Sequence, residues 1–200
     1  LNFRWAVIKK FEGRMLRLFR RGHNEESTIV HDLRSIGIHI ENTGKYDQKR
    51  VDFGCHVSGS LDGVLPFGIP ESKKPHIAEF KTHSKKSFED LLKKGVEESK
   101  PMHYAQMQTY MLGVDIDRAF YLAVCKDDDS LYSERVRLDR EEAHKIVDRA
   151  KRIAMTERMP SPISTKPDWY QCKMCDAHEF CHKSKTTKEV NCRTCAHSTP

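Results

Sequence analysis

Residues 59–81 read G-S-L-D-G-V-L-P-F-G-I-P-E-S-K-K-P-H-I-A-E-F-K, and their reading decides the fold. Asp62 sits in a glycine-flanked turn, and Glu79 and Lys81 are separated by one residue at the end of a short apolar run. Side chains alternate faces along a strand, so Glu79 and Lys81 share a face while Phe80 points the other way, into a core. A hairpin between the two segments brings Asp62 beside Glu79, with an ammonium next to both carboxylates. Like charges in one place are costly unless a cation neutralises them. Oxygen ligands of this kind suit Mg²⁺ or Mn²⁺. Lys81 is then placed to orient or deprotonate a water, or to neutralise charge building on a phosphate. Solvated charged hairpins carry the same letters by chance, so the flanking sequence has to decide.

Upstream, residues 3–34 read as helical, with Phe11, Met15, Leu18 and Phe19 at three- and four-residue steps. Arg14, Arg17, Arg20 and Arg21 cover the remaining face, either as a solvated stripe or as phosphate contacts. Gly22 interrupts this helix, and Ile29, Val30 and Leu33 continue a second helical pattern to Gly37. Residues 38–40 suggest a short strand. Residues 51–57 suggest another, with Cys55 as a packed thiol on the apolar side. Cys125 has the same reading.

Downstream, the Pro-, Gly- and Lys-rich residues 66–75 are expected as an exposed turn. A helix starts at Ser84 and runs to about Val96, and Pro101 opens another that ends at Gly113. Residues 119–124 form a buried strand and 131–138 an alternating one, joined by a turn at 127–130. Residues 140–157 make an amphipathic helix, and Pro160 and Pro162 start a linker. The expected fold class is therefore α/β (an α+β sandwich): a small central mixed sheet flanked by helices over residues 1–160, followed by a cysteine-rich metal-binding tail over 161–200.

The 200 residues suffice for one domain with a core and a small appendage. Charged residues make up 32% and the net charge is +6, with a pI near 8.9, which permits a polyanionic partner without demanding one. No apolar run is long enough to span a membrane. No signal peptide is visible, so a cytoplasmic location is expected. The chain opens on Leu1 and closes on Pro200, and both ends read as cuts in a longer protein.

Five of the seven cysteines crowd the end as C-x2-C-x5-C-x10-C-x2-C: Cys172, Cys175, Cys181, Cys192 and Cys195. Without a secretion signal this points to a metal and not to disulfides. Cys172, Cys175, Cys192 and Cys195 fit a zinc ribbon, and Cys172, Cys175, His178 and Cys181 a compact zinc site. Thiolates suit iron–sulfur clusters equally.

Asp62, a variable loop and then Glu79-Phe80-Lys81 resemble the core motif of the PD-(D/E)XK nuclease superfamily. Gln106 and Tyr110, four apart on one helix face, resemble the Q-x3-Y motif of its RecB-like branch. Tyr104-Ala105-Gln106-Met107-Gln108 is similar to the lambda-exonuclease pattern, and the branch also holds the AddB and CRISPR-associated nucleases. His23 after Gly22 resembles the first motif of RecB-like enzymes, and Glu26 that of lambda-type ones. Similarity to phage-encoded members extends to Phe3-Arg4-Trp5 and to the Cys192–Pro200 end. Cys172, Cys175 and Cys181 are similar to three ligands of the AddB-type 4Fe-4S cluster; the fourth ligand of that pattern lies upstream of the first motif, where residues 1–25 hold no cysteine, so it is expected either in a removed N-terminal segment or at Cys192 or Cys195.

The resemblance implies a restriction-endonuclease-like fold and a Mg²⁺- or Mn²⁺-dependent DNA nuclease. Asp62, Glu79, Lys81, Gln106 and Tyr110 would be catalytic. Glu26, Asp62, Glu79 and Phe80 would hold the ion, with His23 a further candidate. Glu25, about 100° round the helix from Glu26, is expected to face solvent. Arg17, Arg20, Arg21, Lys85 and Lys86 would contact DNA. By analogy the enzyme is an exonuclease acting from DNA ends in phage or mobile-element recombination, with a single-strand annealing or recombination protein as partner. The alternatives are a structure-specific endonuclease and a non-catalytic nucleic-acid-binding module with a zinc ribbon.

Overall fold

The computed structural model describes residues 11–44, 46–156 and 161–183 of the 200. The described residues fall into two compact units, one of Arg17–Met155 and one drawn from the residues outside those bounds.

The larger unit is built on a four-stranded sheet: β3 (Gly63–Leu65), β4 (His76–His83), β5 (Arg118–Cys125) and β6 (Leu131–Arg137), in that spatial order, after a two-stranded ribbon, β1 (Arg50–Asp52) and β2 (Ser58–Ser60). β3 and β6 pair antiparallel to their neighbours, while β4 and β5 run parallel, so the sheet is mixed as expected. A parallel pair needs a long crossover, supplied here by α2 (Lys85–Ser99) and α3 (Pro101–Val114).

Alternation along β4 and β5 sorts their side chains onto two cores. Ile77, Ala119, Tyr121, Ala123 and Cys125 pack with Phe88 and Leu91 of α2 and with Met107 and Met111 of α3. Ala78, Phe80, Leu122 and Val124 pack with Ile29, Val30 and Leu33 of α1 (Gly13–Ser35). α4 (Arg140–Met155) lies against α3. Gln108 is fully buried and joins them, donating to the Arg137 carbonyl (2.8 Å) and accepting from Asp139 N–H (2.8 Å).

Several local expectations are corrected. Gly22 does not interrupt α1, which is continuous from Gly13 to Ser35; one glycine costs a helix interior only about 1 kcal/mol, too little to break it. Its early apolar residues Leu18 and Phe19 stay substantially exposed, so this stripe is not core. In place of a strand at 38–40 there is a single bridge from Glu41 to Val64. The strand expected over 51–57 is a hairpin. Asp52 Oδ1 accepts from Gly54 N–H (2.8 Å), an Asx turn, and Gly54, Cys55 and His56 all take positive φ. Cys55 is accordingly exposed, not packed, whereas Cys125 is buried as expected. The 66–75 turn is not exposed throughout, since Ile69 is buried. The helix expected over 140–157 ends at Met155, and the helical reading of residues 3–10, Pro160, Cys192 and Cys195 lie outside the described residues.

Candidate active site

The pairing of β3 with β4, Gly63 opposite Ala78, places the residue before β3 beside the residue after Ala78. Asp62 Oδ2 accepts a hydrogen bond from Phe80 N–H (2.8 Å), which fixes its carboxylate at the end of the hairpin. Glu79 and Lys81 share the face opposite Phe80, as strand alternation requires. The Lys81 ammonium lies against Glu79 Oε1, 3.9 Å from Asp62 Oδ2 and 3.2 Å from the Phe80 carbonyl, to which it donates. One ammonium therefore serves both carboxylates.

α3 supplies the other wall. Gln106 Nε2 donates to Glu79 Oε2 (3.1 Å), and Tyr110, one turn on, hydrogen-bonds Gln106. Gly59 of β2 lies flat against the Tyr110 ring; a Cβ there would sit 2.5 Å from the ring and its hydroxyl. The ribbon thus holds Tyr110 in place, and glycine is required for the close approach.

Glu79 is 0% exposed. Burial pushes its carboxyl up to about 7, against the pull of Lys81, and Asp62 pushes in the same direction. Burial raises Asp62 as well. Burial alone would lower Lys81, but Glu79 and Asp62 outweigh it and hold the ammonium above its ordinary value. Glu26 of α1 is half-buried, and its carboxyl is raised by burial and then by Asp62. Gln48 hydrogen-bonds it. His23 Nδ1 donates to the Phe19 carbonyl (2.8 Å), which leaves Nε2 as the lone-pair nitrogen of the neutral ring.

Of these groups His23, Glu26, Asp62, Phe80 and Lys81 line a cleft of about 380 Å³ with Leu18, Phe19, Gly22, Glu25, Ile29, Thr82 and Lys126. Glu25 is half-buried in that lining, a correction to its expected solvent-facing position: on α1 it is adjacent to Glu26 across a wide groove. Lys126 and Gln48 escaped the sequence reading. Lys126 had one available signal, its place just past a buried strand, where open α/β sheets bind ligands.

Among the described residues no three His, Cys, Asp or Glu side chains form a ready-made metal site. What fits a hard cation is the charge and the oxygen chemistry. Three carboxylates, Glu26, Asp62 and Glu79, face one ammonium, Lys81, which leaves two net negative charges when all are ionised. Glu79 Oε1 is buried, and its partner is the Lys81 ammonium. Such a donor set suits a divalent ion of the Mg²⁺ type.

Of the expected DNA contacts, Arg17, Arg20 and Arg21 are exposed on α1, and Arg21 Nη2 donates to the Lys126 carbonyl (3.1 Å). Lys85 is engaged elsewhere: its ammonium pairs with Asp128 (2.5 Å) and its N–H donates to Asp127 (2.6 Å). Lys86 is exposed.

In the smaller unit, Cys172 of α5 (Tyr170–Lys173) is buried, Cys175 exposed and Cys181 of α6 (His178–Lys183) half-buried. His178 Nδ1 donates to the Cys172 carbonyl (3.0 Å). Burial raises the Cys181 thiol, and Cys175 and then Cys172 push it in the same direction.

A family model described as the PD-(D/E)XK nuclease superfamily matches residues 4–182. No curated protein matches. A solved structure described as "Crystal structure of SSO0001" is similar at 18% identity, covering 80% of this chain and 68% of its own, with a TM-score of 0.50. That likeness concerns the fold alone. The mixed sheet between helices agrees with the restriction-endonuclease-like fold.

Proposed function

The chain belongs to the PD-(D/E)XK nuclease superfamily, which makes it a nuclease, and from that premise we propose that it hydrolyses DNA phosphodiesters with Mg²⁺ or Mn²⁺, attacking from DNA ends. The observation that carries this reading is the single Lys81 ammonium between the Asp62 and Glu79 carboxylates at one end of a cleft.

Asp62, Glu79 and the Phe80 carbonyl would hold the ion, with Glu26 beside them. A bound divalent ion supplies a water acidified toward neutral pH and polarises a phosphoryl oxygen. Lys81 orients the attacking water and, with its raised pKa, stays charged to meet the negative charge that builds on the phosphate. Gln106 holds the Glu79 carboxylate in its rotamer through the 3.1 Å hydrogen bond. Tyr110 steadies Gln106 in turn. Thr82 and Ile29 shape the cleft wall. Arg17, Arg20 and Arg21 would neutralise backbone phosphates, contacts that carry no sequence information. The C-x2-C-x5-C spacing of Cys172, Cys175 and Cys181 supports a structural iron–sulfur or zinc site in the tail, with Cys192 and Cys195 as further ligands.

The test is digestion of end-labelled linear and closed circular DNA, with Mg²⁺ or Mn²⁺ against chelator, for the wild type and Lys81→Ala. Loss of linear DNA alone, dependent on metal and on Lys81, is expected. Nicking of circles would replace the exonuclease reading with an endonuclease. Binding without cleavage by either protein would overturn the catalytic reading.

A further inference from the structure

Lys81 and Lys126 line the cleft and Lys85 pairs with the turn that follows Lys126, and the structure distinguishes the three by what they are already bound to. Lys81 is held by Asp62 and Glu79. Lys85 is held by Asp128, with its N–H on Asp127. Lys126 lines the cleft beside Asp62 and Lys81, and among the described residues no carboxylate pairs with its ammonium. Its two acidic neighbours in sequence, Asp127 and Asp128, are the ones committed to Lys85.

The backbone at Lys126 is fixed from three directions. Its N–H donates to the His83 carbonyl (2.8 Å), extending the parallel β4–β5 ladder one residue past the end of β5. Its carbonyl accepts from the Arg21 guanidinium (3.1 Å), which ties it to α1. The following turn is clamped to α2 by Asp127 and Asp128. The backbone is rigid while the four-carbon stem and ammonium remain available at the carboxyl end of the sheet, the edge where ligands of α/β sheets bind. An unpaired cation in a cleft already crowded with carboxylates suits an anion that arrives from outside.

Building on the nuclease reading above, we propose that Lys126 is a phosphate-binding residue that grips the DNA backbone at a phosphate next to the one cleaved. It contacts the chain of phosphates without reading bases, as a point charge on a flexible stem. Lys81 is then left to the reacting phosphate, and Lys126 sets affinity rather than the chemical step.

The experiment measures equilibrium binding of labelled single-stranded and duplex oligonucleotides without divalent ions, across roughly 50–200 mM salt. The proteins are wild type, Lys126→Ala, Lys126→Arg and, as a control on α4 outside the cleft, Lys145→Ala. Lys126→Ala should weaken binding about 3- to 10-fold, and its salt slope should fall by about 0.7 on single strands or 0.9 on duplex. Lys126→Arg should restore both, and Lys145→Ala should match wild type. In metal-supported turnover, Lys126→Ala should raise KM with kcat held within about threefold. An unchanged salt slope in Lys126→Ala, or a fall in kcat with KM intact, overturns the assignment while leaving the nuclease reading standing. Absence of nucleic-acid binding by the wild type overturns both.

Discussion

Glu79 and His83 stand on the same face of β4, yet their surroundings differ in kind. Around His83 the polar groups answer one another. Its Nε2 and the Nδ1 of His103 both lie 2.9 Å from the Tyr121 hydroxyl, and Ser87 Oγ is 3.2 Å from its Nδ1. Burial, then nearby lysines, drives His83 down to about 4; burial, then Lys81 and His83, does the same to His103. Both rings therefore stay neutral, and no charge is stranded. Around Glu79 the reverse holds: three carboxylates share one ammonium, so two negative charges go unanswered when all are ionised. The satisfied cluster joins α2, α3 and the sheet. The frustrated one stores a deficit that a cation relieves, as expected where stability is given up for function.

The contrast breaks most sharply at Glu79→Gln. Metal-supported cleavage should fall about a thousandfold or more, read as kcat/KM. Folded, the Glu79 carboxyl keeps its proton up to about 7, whereas unfolded it releases it near 4.5. Ionisation thus costs stability as pH rises through that window, and the cost persists above it. The metal-free variant should unfold about 1–3 kcal/mol harder than wild type at pH 8, measured by denaturant titration. A variant less stable than wild type would mean that the Lys81 pair outweighs the deficit.

Tyr121→Phe tests the other cluster and should behave oppositely. It strips the hydroxyl from both imidazoles, at about 1–3 kcal/mol, while kcat stays within a few-fold at a temperature where the variant is folded. The same histidines set a pH trend. An unfolded imidazole takes up its proton near 6.5, the folded ones only near 4. The two rings' contribution to stability is therefore complete above pH 6.5 and is lost as pH falls toward 4, by about 2 kcal/mol per ring between pH 7 and 5, partly offset in the wild type by the protonation of Glu79 and read without that offset in Glu79→Gln. A flat profile in Glu79→Gln would show that these rings are not held neutral.

The smallest effect lies where the ribbon meets the site. Gly59→Ala puts a methyl into the Tyr110 ring. Tyr110 should shift and kcat drop several-fold, with a stability change of about 1–2 kcal/mol by thermal unfolding.

Much of the site was legible because strand geometry is local. The period of two puts Glu79 and Lys81 on one face whatever the rest of the chain does, and four residues of helix put Gln106 over Tyr110. The neighbouring pair Gln106 and Gln108 shows where that stops. The pattern marks both, and only the packed helix shows that one bonds Glu79 while the other joins β6 to α4. Cys55 was misread for a local reason, because the Asx turn at Asp52 overrides an apolar alternation.

By itself the sequence determined the two faces of β4, the order of helices and strands, and the chemical kind of the cleft residues, since each follows from the backbone period and the side chain's own atoms. The tertiary structure alone decided which charges were already spent. The parallel register of β4 with β5 sets Tyr121 opposite Glu79 and carries Lys126 to the cleft, and the turn after β5 takes Lys85 into an ion pair. Those pairings join residues about forty positions apart, and no local pattern encodes a distance of that kind.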